Sequence, residues 1–136
     1  MRIIIAGGRK FQNYVLLKLT VDKFIREKEI PKSSITIVGG EAPEADKLGK
    51  QYAKQRDYKY KGYPALWDDL QTKGAVIKTN NYGKLYNAMA GHDRNLKMAQ
   101  NADWLIAFWD GQSPGTKSMM QIANEEGLGV TIIKFA

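Results

Sequence analysis

A doubly wound α/β domain built on a parallel sheet of about five strands, flanked by helices, is what this 136-residue sequence predicts. Three observations carry that prediction. Short β-branched runs alternate with helix-periodic stretches along most of the chain, the order that folds as strand–helix–strand units. One run, Trp104–Trp109, is apolar without interruption, as a strand covered on both faces requires. Three runs end in small-residue turns: Gly7-Gly8 after IIIA, Gly39-Gly40 after ITIV, and the stretch Gly111 to Gly115 after LIAFWD.

Residues 2–6 (RIIIA) are the first strand, ending at Gly7. Asn13 N-caps a helix through about Lys28, with Val15, Leu16, Leu19, Phe24 and Ile25 as its apolar stripe. Pro31 and Ser33-Ser34 make the turn into Ile35–Val38, the second strand. Pro43 and Glu44 suit the first turn of a helix running to about Arg56: Pro lacks only an N–H that would be unpaired there, and Glu favours the positive end. Tyr58–Gly62 is a third, weaker strand. Residues 63–82, with Pro64, Gly74 and Asn80-Asn81, predict an irregular, lid-like loop, since a connection this long is usually functional or mobile.

Residues 83–100 predict a helix, broken near Ala90-Gly91, with Leu96, Met98 and Ala99 facing inward. Asp103–Trp109 is the fourth strand, Thr116–Glu126 a helix with Gly127 past its end, and Gly129–Phe135 the last strand. No internal repeat is visible, and residues 1–136 read as a single domain.

Composition excludes several classes. With no Cys there is neither a disulfide framework nor a thiolate zinc site, and His92 alone cannot supply a multi-imidazole centre, so no metal and no cofactor are expected. Met1 leads straight into strand-like sequence without a signal-peptide pattern, and no apolar run reaches ~18 residues; the expectation is a cytoplasmic protein with no membrane partner. The net charge of +7 is unevenly placed: residues 1–62 hold 14 Lys+Arg and 7 Asp+Glu, residues 63–136 hold 7 of each. Solvated helix faces and a field that attracts anions both account for it.

In a doubly wound sheet the ligand crevice lies beyond the carboxyl ends of the strands, where all three glycine turns fall. Such turns free backbone N–H groups at helix N-termini, where anions bind. Gly7-Gly8 permits a sharp turn, and Arg9 can grip a phosphate with two prongs; a plain strand-to-helix turn is the bland equivalent. Gly39-Gly40-Glu41 has the same double meaning, and Asp46 either bonds a ribose hydroxyl or serves the helix dipole. Ser113-Pro114-Gly115-Thr116 is the stronger phosphate candidate, following Asp110 and Gly111 and opening a helix. Arg94 and Asn95 add a cation and an amide. Trp67 and Trp109 offer flat surfaces for a base, or pack in the core, as Trp104 is expected to do.

Taken together, GGRxF with Phe11, GG…AD-x-LG, a Trp in the middle loop, and AG-x-x-RN-x-x-M…AD-x-L-x-AFWDG-x-S-x-GT resemble the SLOG superfamily, in its short stand-alone branch related to YspA and YpsA from bacteria and phages. The resemblance covers nearly the whole chain and is most specific between Ala90 and Thr116. It implies a Rossmann-like fold, a nucleotide or nucleotide-derived ligand and a homo-oligomer, with exposed apolar residues in Tyr63–Tyr86 as the contact. Some SLOG domains sense cyclic ADP-ribose isomers in bacterial antiviral systems; other relatives are cytokinin-activating phosphoribohydrolases and DNA-processing A proteins.

The departures from the pattern bear on function. GGEAPEAD replaces the usual GGAxGAD, and Glu41 repels a phosphate, so this turn is expected to face ribose or base. Phosphoribohydrolases carry PGGxGTxxE; here Met119 falls where that Glu would stand and Gln112 replaces a Gly, and a thioether transfers no proton. There is no GxGxxG and no P-loop.

The leading expectation is therefore non-catalytic capture of a nucleotide-derived signal, for sensing or sequestration, with a phage-encoded sponge as its concrete form. Hydrolysis of an N-glycosidic or phosphoester bond through Glu41, Asp46 or Asp110 is the second. Single-stranded nucleic-acid binding by the basic half is a distant third, and nucleic acid is not the expected partner. The residues assigned to the ligand are Gly7, Gly8, Arg9, Phe11, Gly39, Gly40, Glu41, Asp46, Trp67, Arg94, Asn95, Trp109, Asp110, Gly111, Ser113, Gly115 and Thr116.

Overall fold

A computed structural model of the chain describes residues 1–8, 10–41, 45–67, 69–71 and 75–135. Five strands form one sheet: β1 (Arg2–Gly7), β2 (Thr36–Gly39), β3 (Lys59–Gly62), β6 (Trp104–Trp109) and β7 (Gly129–Lys134). Two shorter strands, β4 (Ile77–Thr79) and β5 (Leu85–Asn87), pair separately as an antiparallel hairpin. The helices are α1 (Tyr14–Glu27), α2 (Ala45–Arg56), α3 (Ala90–Gln100) and α4 (Pro114–Glu125). The main sheet runs β3-β2-β1-β6-β7 with every adjacent pair parallel. The predicted Rossmann-like fold is thus the observed one.

Consecutive isoleucines in β1 show how the sequence builds both faces. Ile3 and Ile5 point into the layer of α1 and α2, with Leu17, Val21, Phe24, Tyr52 and Ala53. Ile4 points the other way, onto Met98 and Ala99 of α3 and Met119, Ile122 and Ala123 of α4. All three are fully buried. A strand that must bury every residue reads as a continuous apolar run, and each such side chain contributes about 1.5–3 kcal/mol of burial.

α1 begins where predicted, the Asn13 side chain accepting from the Leu16 N–H at 3.0 Å. Its buried face matches the expected stripe in part: Phe24 is buried and Leu16 and Ile25 pack against the core. Leu17, Val21 and Phe24 face the core, whereas Val15 and Leu19 are 66% and 63% exposed. Four apolar residues within Val15–Leu19 allow more than one helical stripe, and the 17/21/24 spacing won because it matches the isoleucines of β1. The pair α1–α2 is fastened by Asp22, which accepts from Tyr52 Oη and Arg56 Nη2, both at 2.5 Å. Burial and that hydrogen bond raise the Tyr52 phenol far above its ordinary range.

Trp104 packs as expected. Its ring lies against Phe24 at 5.2 Å and its indole N–H donates to Thr131 Oγ1 at 2.9 Å. Any Cβ on Gly129 would overlap the ring.

Two expectations are corrected. Residues 83–89 are not helical: Leu85–Asn87 pairs with Ile77–Thr79, and α3 starts only at Ala90. The 63–82 stretch is correspondingly not irregular throughout. Asn80 closes the hairpin, its side-chain oxygen accepting from the N–H groups of Tyr82 (2.8 Å) and Lys84 (3.0 Å), while Gly83 takes the left-handed conformation at φ 77°. Asn87, buried, anchors the hairpin base by accepting from Val76 N–H at 3.3 Å and Met89 N–H at 3.0 Å. Among the described residues no helix is long and apolar enough to cross a membrane.

Candidate functional site

A cleft of about 890 Å³ opens beyond the carboxyl ends of the strands. Its floor is Ala6 and Gly7, the last residues of β1, with Gly8 beyond them; Gly40 and Glu41 after β2 form one flank, and Asp110 with Gln112 to Thr116 after β6 form the other. The start of α3 closes the top with Gly91, Arg94 and Asn95, and Trp67 stands beside it. The three glycine turns therefore meet in one place. The order β2-β1-β6 puts the switch in winding at β1, which is where a sheet of this kind leaves a crevice.

The flank after β6 is shaped by Asp110. Its Oδ1 accepts from the N–H groups of Gln112 at 2.8 Å and Ser113 at 2.7 Å. These bonds hold its carboxyl below the ordinary value of 3.8, with Lys10 adding a smaller effect in the same direction. The Ser113 N–H is thus already used. The anion-binding capacity of this helix start lies in the first-turn N–H groups of Gly115 and Thr116, which have no backbone acceptor among the described residues. The Thr116 hydroxyl donates to Ser113 Oγ at 3.4 Å, and Gly8 lies so close that an added Cβ would meet Ser113 Oγ at 3.1 Å.

A group whose folded pKa is depressed stabilises above its unfolded value and loses that contribution as pH falls through the folded one. Asp110 should therefore add nothing to the pH dependence between neutrality and about pH 4 and contribute to unfolding only below it. Asp110→Asn, which keeps an acceptor but cannot titrate, is expected to flatten the acid limb of melting temperature against pH. An acid limb identical to wild type would show that the carboxylate bonds are not formed.

On the β2 flank, Arg94 donates from Nη1 to the Gly40 carbonyl and from Nε to Asn95 Oδ1 at 2.8 Å. It ties α3 to the second glycine turn. Trp67, 46% exposed, lays its ring edge on Gly91, where a Cβ would stand 3.1 Å from Cη2. Its carbonyl accepts from the Asn87 N–H at 2.6 Å, so the hairpin base positions it. Met98 and Met119 supply apolar wall.

Gly7, Gly8, Gly40, Glu41, Trp67, Arg94 and Asn95, together with Asp110, Ser113, Gly115 and Thr116, all line the cleft. Four assigned residues do not. Phe11 is buried, stacked on Phe108 at 4.5 Å and set edge-on to Phe135 at 5.0 Å, so it belongs to the core. Trp109 is a strut rather than a stacking surface, its indole N–H donating to the Ser113 carbonyl at 3.1 Å. Gly111 serves the turn itself, with φ 85°. Gly39 is buried against Tyr60, whose Oη would lie 2.5 Å from a Cβ there. Arg9 lies outside the described residues; Asp46 is in α2, and its side chain is likewise outside them. Sequence reasoning missed Lys10, His92 and Met98, which also line the cleft. Lys10 follows Arg9 directly and could have been found with it, whereas His92 belongs to no phosphate or base motif and Met98, the last residue of RN-x-x-M, reads as an inward-facing core residue. Among the described residues no cluster of metal-ligating side chains occurs.

An all-parallel sheet wound on both faces, with glycine turns meeting at its carboxyl edge, defines a Rossmann-like domain of the nucleotide-binding type. Residues 1–69, just over half the chain, match the YspA, cpYpsA-related SLOG family (YAcAr), and the chain belongs to that family. The matched segment holds the first two glycine turns; the Ala90–Thr116 block, which carried the resemblance most specifically, lies outside it. Among curated proteins nothing matches the chain.

Proposed function

We propose that the protein binds a nucleotide or nucleotide-derived signalling molecule, such as a cyclic ADP-ribose isomer, and does not cleave it. Capture of this kind serves sensing or sequestration, a phage-encoded sponge against bacterial immune signalling being one form. The single observation that carries the proposal is the meeting of Gly7-Gly8 in one cleft with the N–H groups of Gly115 and Thr116, which have no backbone acceptor among the described residues, faced by an apolar wall that includes Trp67 and Met98. A phosphate suits the first side and a base the second. The cleft volume falls within the ~300–1,000 Å³ usual for small-molecule sites.

The side chains favour binding over hydrolysis. Met119 lines the cleft where phosphoribohydrolases carry their Glu, and a thioether holds no transferable proton. Asp110, held ionised by two backbone N–H groups, is a poor general acid near neutral pH. The proposal includes a homo-oligomer, supported by the exposed apolar side chains Leu66, Val76, Ile77 and Leu85 beside the cleft's hairpin. The test is a thermal-shift screen across mono-, di- and cyclic nucleotides, followed by denaturation and recovery of the bound ligand. A ligand that binds only the folded state raises the melting temperature by an amount set by concentration over Kd, and it should be recovered unchanged. Ribose phosphate and free base in its place would establish the hydrolase instead.

A further inference from the structure

A carboxamide stands on the apolar side of the cleft with only half of its bonding capacity used. The buried residues of α3 are Ala90, Asn95, Met98 and Ala99, so Asn95 sits among small and apolar neighbours. It is 8% exposed and lines the cleft. Burying an amide whose donors stay unpaired costs stability, and such groups in folded proteins are regularly matched by a partner. Oδ1 of Asn95 accepts from Arg94 Nε at 2.8 Å, and Arg94 is itself held by the Gly40 carbonyl. A guanidinium only donates, so the amide oxygen must face it and the NH2 group must turn away. Among the described residues no acceptor takes a hydrogen bond from that NH2 group. Gly91 lies one turn before Asn95 and Met98 three residues after it, which puts all three on one helix stripe along the cleft. Trp67 sets its ring edge on Gly91. Two N–H donors thus stand at the border of a flat apolar surface.

We propose that the Asn95 NH2 group donates to a ring nitrogen that adenine and guanine share, N3 or N7, and that through it the cleft recognises purine nucleotides. The inference rests on the nucleotide reading above and names the base. A purine laid against the wall of Trp67 and Met98 carries the lone pairs of its ring nitrogens in the ring plane, where an amide at the rim of that wall meets them. The edge turned to α3 must accept, because an exocyclic amine there would set donor against donor. A two-ring base also suits a cleft of about 890 Å³, near the upper end of the ~300–1,000 Å³ usual for small-molecule sites. Arg94 is a positioning residue in this arrangement, since its bond to Oδ1 decides which way the amide points.

Calorimetric titration tests the proposal, with whichever of AMP and GMP binds more tightly in the thermal-shift screen and with its 3-deaza and 7-deaza analogues. Each analogue replaces one ring nitrogen by C–H and leaves ribose and phosphate intact. Wild type should bind one of the two analogues roughly 5- to 100-fold more weakly than the parent, the range for leaving a buried donor without its acceptor. Asn95→Asp keeps an oxygen for Arg94 and puts an acceptor where the donors were, so it should bind that analogue at least as well as the parent. Its added charge acts on the phosphate that both ligands carry, so the ratio of the two affinities reports the base alone. Asn95→Leu, which offers neither donor nor acceptor, should bind parent and analogue alike. Two analogues that match the parent in wild type, or a loss that persists undiminished in Asn95→Asp, would overturn the role of Asn95 and leave the nucleotide reading standing. A screen in which only pyrimidine nucleotides raise the melting temperature would do the same. Failure of the folded wild type to bind any nucleotide in that screen would overturn both.

Discussion

Phe11→Ala is expected to destabilise the fold by about 3–5 kcal/mol, the range for removing a buried aromatic ring. The ring is 1% exposed and sits between two others, stacked on Phe108 with an interplanar angle of 18° and edge-on to Phe135 at 62°. Phe108 belongs to β6 and Phe135 follows β7, so the three rings join the segment after β1 to the far half of the sheet. Truncation leaves a cavity bounded by rigid strands that cannot collapse into it, and this places the loss toward the upper end of the range. Aromatic pairing adds about 0.5–1.5 kcal/mol beyond burial. Urea denaturation should show a lower midpoint with the slope unchanged. A loss under about 1 kcal/mol would mean that the ring is not a core strut.

Phe11 also shows where a sequence misleads. The motif GGRxF suggests a ligand role for every member, yet the turn that exposes Gly8 to the cleft rotates Phe11 beneath the sheet edge, where the Phe11 N–H donates to the Gly8 carbonyl at 3.1 Å. What periodicity and capping chemistry determine was legible: the Asn13 cap, the isoleucines of β1, the unbroken apolar run of β6 and the turns at strand ends. What tertiary context determines was not. Three-residue strands such as Ile77–Thr79 and Leu85–Asn87 carry too little pattern to be seen, and the Leu85, Ala88 and Met89 spacing imitates a helix. The hairpin exists because the Asn80 carboxamide closes the turn and Asn87 pins its base.

Within the site, residues whose backbone matters could be named in advance. Those whose side chains act through specific partners could not: Asp110 builds its own loop through the Gln112 and Ser113 N–H groups, and Trp109 braces the Ser113 carbonyl. The neighbours of Arg94, one on its own helix and one after β2, come from residues 54 positions apart as well as adjacent, and no spacing rule links the distant one.

Gly115→Asp is expected to make the protein more stable and to weaken nucleotide binding by orders of magnitude. Gly115 is the second residue of α4, and a Cβ added there meets nothing within 4 Å, so the new side chain projects into open space. Replacing glycine in a helix removes a backbone-entropy penalty, and an acid in the first turn interacts favourably with the helix dipole; together these are worth about 0.5–1.5 kcal/mol. The same carboxylate reaches the N–H groups of Gly115 and Thr116 and occupies the place proposed for the phosphate. Two like charges about 4 Å apart at an effective dielectric near 20 repel by ~4 kcal/mol, so affinity should fall on the order of 10²–10³-fold. Gly115→Ala, which adds bulk without charge, should melt slightly higher and lose less than about tenfold in affinity. Thermal denaturation and nucleotide titration of both variants measure the two effects separately. An acid at position 115 that left affinity unchanged would place the phosphate elsewhere in the cleft, because no anion binds beside a carboxylate at the head of a helix without registering its charge.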